Sequence, residues 1–288
     1  MNARLLFTHA LSPLHAGTGQ GVGVIDLPIA REKATGLPIL PGSSVKGVLR
    51  DACEDACEDD TTRKNVFGPD TQNASDHAGS VQFSDQRLLL LPVRSLAGTF
   101  AWVTSPYVLQ RLRRDAEAAS VNELPEVPAP GEESCAVSET GCTICVGDKV
   151  VLEDLDLSAE PNGLVGQWAT WLSEKVFSQD AEMTAMLTAR LCVVRDDVLN
   201  FLLDTATEIT ARIRLQDDKK TVQKGGLWYE EALPTETVLV GLVVATHVKA
   251  APEVVFTTVG GLVTKPLQFG GKATVGRGLC RLRMIGGQ

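Results

Sequence analysis

The sequence holds no apolar run approaching the roughly 20 residues that a bilayer-spanning helix requires. Its opening, MNARLLFTHALSPLH, has no signal-peptide cleavage region. Both absences argue against membrane insertion and secretion, so the expected location is the cytoplasm. Nucleotide-cofactor fingerprints are missing too. After Gly17 and Gly19 the third glycine of a dinucleotide loop would fall at Val22, and PGSSVKG has neither the glycine spacing nor the Gly-Lys-Ser/Thr triplet of a Walker A loop. ATP and NAD are therefore poor matches. Histidine is scarce, with four in the chain, and only His15, in a glycine-rich loop, is a candidate for histidine acid–base chemistry.

The seven cysteines are an odd number in a chain expected in a reducing compartment, so no disulfide framework is anticipated. Cys135, Cys142 and Cys145, spaced C-x6-C-x2-C, match three ligands of a structural Zn²⁺ site, with His77 or another cysteine as the fourth. The net charge of −9 argues at first against a nucleic-acid partner. Its distribution weakens that objection. Acids crowd residues 51–60 and 115–160, none follows Glu253, and the tail carries Lys265, Lys272, Arg277, Arg281 and Arg283. At 288 residues and 44% hydrophobic, the chain suits one large domain with insertions, expected over about 61–80 and 120–148.

Residues 21–50 concentrate the chemistry. Val45, Val48, Leu49, Ala52, Cys53 and Ala56 line one face of a helix starting near Ser44, after Pro41-Gly42, with Ser43 or Ser44 as the cap. Lys46 and Arg50 come first along it, and Asp51, Glu54, Asp55, Glu58, Asp59 and Asp60 follow, the reverse of what the helix dipole favours. Two cations beside capping hydroxyls and free N–H groups suit an external phosphate. The alternative is that Lys46 and Arg50 pair with acids elsewhere in the chain. Just upstream, Asp26 lies between Val24-Ile25 and Leu27-Pro28 in a glycine-flanked loop, with no sequence-local reason for an acid. A turn aspartate would bond nearby backbone. A chemical one could bind a divalent ion such as Mg²⁺ or help deprotonate a ribose 2′-hydroxyl, with Glu32 and Lys33 as nearby assistants.

The remaining pattern alternates strands and helices. ARLLFTHALS reads as a strand, and further strands are expected at 80–84, 87–93, 99–104, 149–157, 191–194, 238–245 and 279–285. Helices are expected from Ser105-Pro106 onward and at 163–177, 181–187, 198–203 and 256–262. Residues 61–80 read as a polar loop, and NELPEVPAPGEES as an exposed, mobile insertion. In TEITARIRL, Ile209, Ala211, Ile213 and Leu215 alternate with Thr210, Arg212 and Arg214, predicting one apolar and one basic strand face, and LWYEEAL can return as its partner. FGGKATVGRG is a glycine loop with Lys272, Thr274 and Arg277 as donors for phosphate.

GVIDLPIARE, GLPILPGSSVKGVLR, GGLWYEEALP and LQFGGKATVGRG together resemble the RAMP superfamily of CRISPR RNA-binding proteins. More narrowly, the chain resembles the repeated backbone subunits of type III-B (Cmr) effector complexes. The resemblance implies an α+β fold with a ferredoxin-like (RRM-like) core, insertions, and a long β-hairpin thumb at about 206–233. It implies as partners a CRISPR guide RNA, a target RNA, further copies of the chain and other Cmr subunits. It implies a metal-dependent endoribonuclease that cuts guide-paired target RNA, with Asp26 catalytic and Mg²⁺ or another divalent cation as cofactor. Guide contacts would come from Ser43, Ser44, Lys46, Arg50, Arg212, Arg214, Lys272, Thr274 and Arg277. The RNP aromatic motifs are absent, so binding should use phosphate and ribose contacts rather than base stacking. Two alternatives stay open: a non-catalytic structural RNA-binding subunit and a repeat-processing endoribonuclease.

Overall fold

The computed structural model describes residues 2–19, 21, 24–56, 60–70, 76–177, 181–216 and 218–286. Val22 and Gly23 of the glycine loop, Glu58 and Asp59 of the acidic run, and residues 71–75 of the expected polar loop lie outside them. The chain runs through β1 (Ala3–Ala10), β2 (Ile39–Leu40), α1 (Gly42–Ala56), α2 (Asp60–Phe67), β3 (Val81–Phe83), β4 (Gln86–Arg94), β5 (Phe100–Thr104) and α3 (Pro106–Ala118). It continues through β6 (Ser134–Val137), β7 (Cys145–Val146), β8 (Lys149–Leu152), β9 (Leu155–Pro161), α4 (Gly163–Val176), α5 (Ala181–Arg190), β10 (Leu191–Val194) and α6 (Asp196–Thr205). The last elements are β11 (Glu208–Leu215), β12 (Val222–Ala232), β13 (Val238–Ala245), α7 (Pro252–Leu262), β14 (Leu267–Gln268) and β15 (Leu279–Ile285).

Thirteen strands form one mixed sheet, ordered β14-β15-β1-β13-β4-β5-β10-β6-β9-β8-β7, with β2 on β4 and β3 on β13. Its centre, β15-β1-β13-β4, is antiparallel throughout. Phe7 sits opposite both Val240 and Arg283 in that register. The period-2 alternation of β1 serves both faces. Arg4 points to the α7 side, its guanidinium 4.4 Å from the Phe256 ring centroid. Phe7 and His9 point to the α4 side, Phe7 against Trp171 and His9 against Phe177, 5.0 Å between centroids. Covered on both sides, β1 and β13 are buried at nearly every position, and two polar side chains of β1 lie against aromatic rings, Arg4 on Phe256 and His9 on Phe177. No helix of the described residues is long and apolar enough to cross a membrane.

Three expectations need revision. Residues 60–67 form α2, not loop. Its polar surface hides the helix, which is held by Asp60 pairing with Arg63 and Lys64 at i+3 and i+4 and by burial of Val66 and Phe67. NELPEVPAPGEES is laid onto the domain, with Leu124 and Val127 packed on the core and Trp168 Nε1 donating to Glu126 O at 2.8 Å. Finally, α1 begins at Gly42, so Ser43 and Ser44 sit inside its first turn. Asp85 from the β3–β4 turn caps it instead, accepting from the Gly42 N–H at 2.8 Å. Gly42 allows that approach, since a Cβ there would lie 2.3 Å from Phe83 O.

Candidate functional site

β11 and β12 form a separate two-stranded sheet, with Arg212 opposite Trp228 and Thr210 opposite Glu230. The chain around Asp26 adds itself to the inner end of β12. Leu27 bridges Glu230 in parallel, the Leu27 N–H donates to Tyr229 O at 3.1 Å, and the Glu231 N–H donates to Leu27 O at 3.0 Å. Asp26 itself is exposed, and its Oδ2 accepts from the Tyr229 N–H at 2.8 Å. One oxygen is thus held by backbone, and the carboxylate still faces solvent. The bond is not the local one of a turn aspartate, since its partner lies 203 positions along the chain.

Two neighbouring glutamates, both buried, organise everything else. Glu231 accepts from the Ile29 N–H at 3.0 Å and from Arg31 at 2.6 Å, and its backbone oxygen accepts from His15 Nδ1 at 2.6 Å. The His15 ring is buried, with its Nε2 edge turned toward Gly17. Glu230, on the other face of the strand, is gripped by Lys272, by Trp228 Nε1 at 2.7 Å and by Arg212 Nε at 3.3 Å. Burial pushes its carboxyl up, but Lys272, Trp228 and Arg212 outweigh it and hold the group below its usual range. Lys272 adopts the left-handed conformation, φ 73°, uncommon for a side chain with a Cβ, at the point where it meets Glu230.

The structure sorts the expected RNA contacts into committed and free groups. Arg277 is buried and donates to Thr210 Oγ1 at 3.1 Å, tying the glycine loop to β11. Lys272 and Arg212 converge on Glu230. Arg50 is spoken for by Pro69 O at 3.0 Å and Asp70 at 2.7 Å, so the reading of it as paired inside the chain holds. Lys46 differs. It is half-buried with no acid paired to it among the described residues, and burial together with the Arg50 charge depresses its ammonium. An incoming phosphate would relieve both effects. Arg214 and Thr274 are exposed, as is Ser43, while Ser44 is half-buried in the first turn of α1.

Of the suggested assistants, Glu32 is engaged elsewhere. Arg111 binds it through two bonds of 2.6 and 2.7 Å and Thr35 through a third, which lowers its carboxyl to about 2. Lys33 is exposed and borders a cleft of about 650 Å³ beneath the Asp26 loop, with Ile25, Pro28, Arg31, Leu203 and Ile209. The three cysteines of the expected zinc site do not come together. Cys142 is joined to Cys145, while Cys135 is buried on β6 beside Cys192, and no group of metal-ligating side chains occurs among the described residues. Glu230 and Glu231 escaped sequence reasoning, although two acids in a row inside an otherwise strand-like LWYEEAL were a legible anomaly.

A model of the RAMP superfamily matches residues 9–281. The CRISPR system Cmr endoribonuclease Cmr4 of Pyrococcus furiosus is 37% identical, over 99% of this chain and 96% of that protein. The CMR subunit Cmr4 of Saccharolobus solfataricus is 22% identical, over 97% and 95%. A crystal structure of oligomeric Cmr4 from Pyrococcus furiosus superposes with a TM-score of 0.79 at 29% identity, covering 100% of this chain and 99% of that one. A type III-B Cmr-beta complex in its apo state contains a chain of the same fold, TM-score 0.76 at 21% identity.

Proposed function

Because the chain belongs to the RAMP superfamily, we propose that it is a guide-RNA-binding backbone subunit of a type III-B effector complex that cleaves guide-paired target RNA at Asp26. The observation that carries this reading is an exposed carboxylate, fixed by the Tyr229 N–H, at the junction of the β11–β12 hairpin and the glycine loop. The antiparallel order β15-β1-β13-β4, with α1 and α7 on one face, is read as a ferredoxin-like core, and the hairpin as a thumb that reaches over RNA. Sequence would be read by base pairing between the RNAs, with the protein supplying backbone contacts. Partners are the guide, the target, further copies and companion Cmr subunits, in the cytoplasm.

In the cleavage step the free oxygen of Asp26 takes the proton of a ribose 2′-hydroxyl, whose oxygen attacks the adjacent phosphate and expels the 5′-oxygen of the next nucleotide; that oxygen takes a proton from water, giving a 2′,3′-cyclic phosphate and a 5′-hydroxyl end. A divalent cation is part of the proposal. Asp26 would hold a hydrated Mg²⁺ as the alternative to acting as the base itself, since Mg²⁺ is commonly held by one or two carboxylates plus substrate phosphates. When bound it would neutralise charge developing on the phosphate. Arg214, exposed on the hairpin, serves the neighbouring backbone, and Lys46 a phosphate at the start of α1.

A non-catalytic role is favoured by one fact, that Asp26 accepts the Tyr229 N–H and so ties its own loop to β12. Asp26→Asn separates the readings because it keeps that acceptor. The reconstituted complex should assemble and bind target normally yet cut roughly 10²–10⁴-fold more slowly, the range of general acid–base groups. Cutting at the wild-type rate returns the chain to the structural reading.

A further inference from the structure

We infer that Glu231 is the positioning residue of the cleavage site, the side chain that fixes the Asp26 loop onto β12. The inference rests on the reading of Asp26 as the cleaving group.

Glu231 is 2% exposed, on a strand whose outer half is open to solvent. Such an acid needs partners, and among the described residues its two carboxylate oxygens find theirs in Ile29 and Arg31, just after Asp26. Its N–H donates to Leu27 O, one residue after Asp26. Its Oε2 takes the Ile29 N–H, and its Oε1 takes Arg31. Its backbone oxygen takes His15, whose segment pairs with the far side of the same loop through the Ala30 N–H and Ala16 O at 2.7 Å. Arg31 then extends the grip to Gly36 O and Leu203 O, both at 3.1 Å.

The consequence is geometric. Among the described residues the Asp26 side chain has one direct tie, to the Tyr229 N–H two residues before Glu231. That tie is made only if the loop lies in register with β12: main-chain bonds of Leu27 to Tyr229 and Glu231 begin the register, and the Glu231 side chain extends it to Ile29 and Arg31. No other side chain of β12 joins it to Ile29 and Arg31 among the described residues. A loop freed from Glu231 would keep Asp26 but misplace its carboxylate, and a displacement of about 1 Å can cost a factor of 10² in rate. Glu231 does not reach the reacting atoms and acts through Asp26.

The test uses the assembled ribonucleoprotein, with single-turnover cleavage and target affinity measured on the same preparations. Glu231→Ala should lower the cleavage rate roughly 10–100-fold while guide retention and target affinity stay within about twofold. Glu231→Gln, which keeps one carboxamide oxygen for Ile29 or Arg31 but not both, should fall between alanine and wild type. Arg31→Ala combined with Glu231→Ala should be no slower than the worse single variant, because both break one contact set. If Glu231→Ala does not assemble, the glutamine variant carries the test alone. Wild-type cutting by the assembled Glu231 variants, in a complex that Asp26→Asn silences, overturns the assignment. Equal losses of rate and target affinity overturn it too, because a merely structural residue behaves so. An active Asp26→Asn complex defeats the cleavage reading itself, separately from the positioning role.

Discussion

The two halves of β12 have the same backbone partner, β11, and opposite surroundings. In the inner half, Glu230, Glu231 and Ala232 are buried and each carboxylate oxygen of the two acids is claimed by the Asp26 loop and its flank, the glycine loop or the hairpin itself. In the outer half, Val222 and Leu227 are about half exposed, as are Ile213 and Leu215 opposite them. The apolar face expected from the alternation in TEITARIRL is therefore real but not covered by the chain's own core. A strand that is buried and charged at one end and bare and apolar at the other is not optimised for the stability of an isolated domain. The inner half holds a reactive group still, and the outer half is left for what the assembly brings.

The largest expected effect breaks the inner half. Arg31→Ala leaves the Glu231 carboxylate, 3% exposed, without its cation. Stranding a buried charge costs about 3–5 kcal/mol, which denaturant unfolding of the purified chain would register as a fall in midpoint at unchanged slope. A loss below about 1 kcal/mol would mean that water reaches Glu231 and that the clamp is weaker than its distances suggest.

Next in size is the contrast between paired and free cations. Each phosphate contact contributes a slope of about 0.7 in log affinity against log salt for a single strand. Arg214→Ala and Lys46→Ala should each reduce the slope of guide binding by about that amount. Arg50→Ala should leave the slope nearly unchanged and act through stability, because Arg50 already spans Pro69 and Asp70. Equal slopes for Lys46 and Arg50 variants would erase the distinction.

How far these features could be read in advance follows from their range along the chain. β1, α3 and β13 announce themselves through local periodicity, and so does the hairpin, whose faces alternate as expected. Asp26 stood out because its neighbours gave it no local partner. What stayed hidden is long-range. Arg31 meets Glu231 across 200 positions, Ile29 meets it across 202, and Asp85 reaches back 43 residues to cap α1. No pattern within a window of ten or twenty residues contains such pairs. The cysteines misled for a related reason: C-x6-C-x2-C has ligand-like spacing, but Cys135 lies in a buried strand next to Cys192, on β10.

A smaller effect separates the loop's second anchor from its first. Glu32 titrates at about 2, against an ordinary 4.5, chiefly through its bonds to Arg111. A depressed carboxyl contributes stability that is complete above the unfolded value and disappears as pH falls through the folded one. Glu32→Gln should therefore flatten the fall in melting temperature between about pH 4.5 and pH 2 and leave neutral cleavage close to wild type. A steepened acid limb would mean that another group dominates that window.

The smallest expected change is the most discriminating for the outer half. Leu227 is 53% exposed and faces Ile213, 51% exposed, across the hairpin. Replacing it with serine removes little buried area, so the unfolding free energy of the isolated chain should move by no more than about 0.5 kcal/mol, the usual range for a surface site. If this face is covered when copies stack along the guide, the same substitution should lower the fraction of chain in the ordered assembly, measured by mass photometry at fixed RNA. Area removed from water stabilises by about 25 cal/mol per Å², so even partial covering of a leucine gives a shift that the free chain cannot show. A large loss of stability in the free chain would place Leu227 in its own core and remove the contrast between the two halves of β12. Unchanged assembly would leave the apolar face without a role in stacking, and the free cations would then be the only features of the hairpin that the RNA can use.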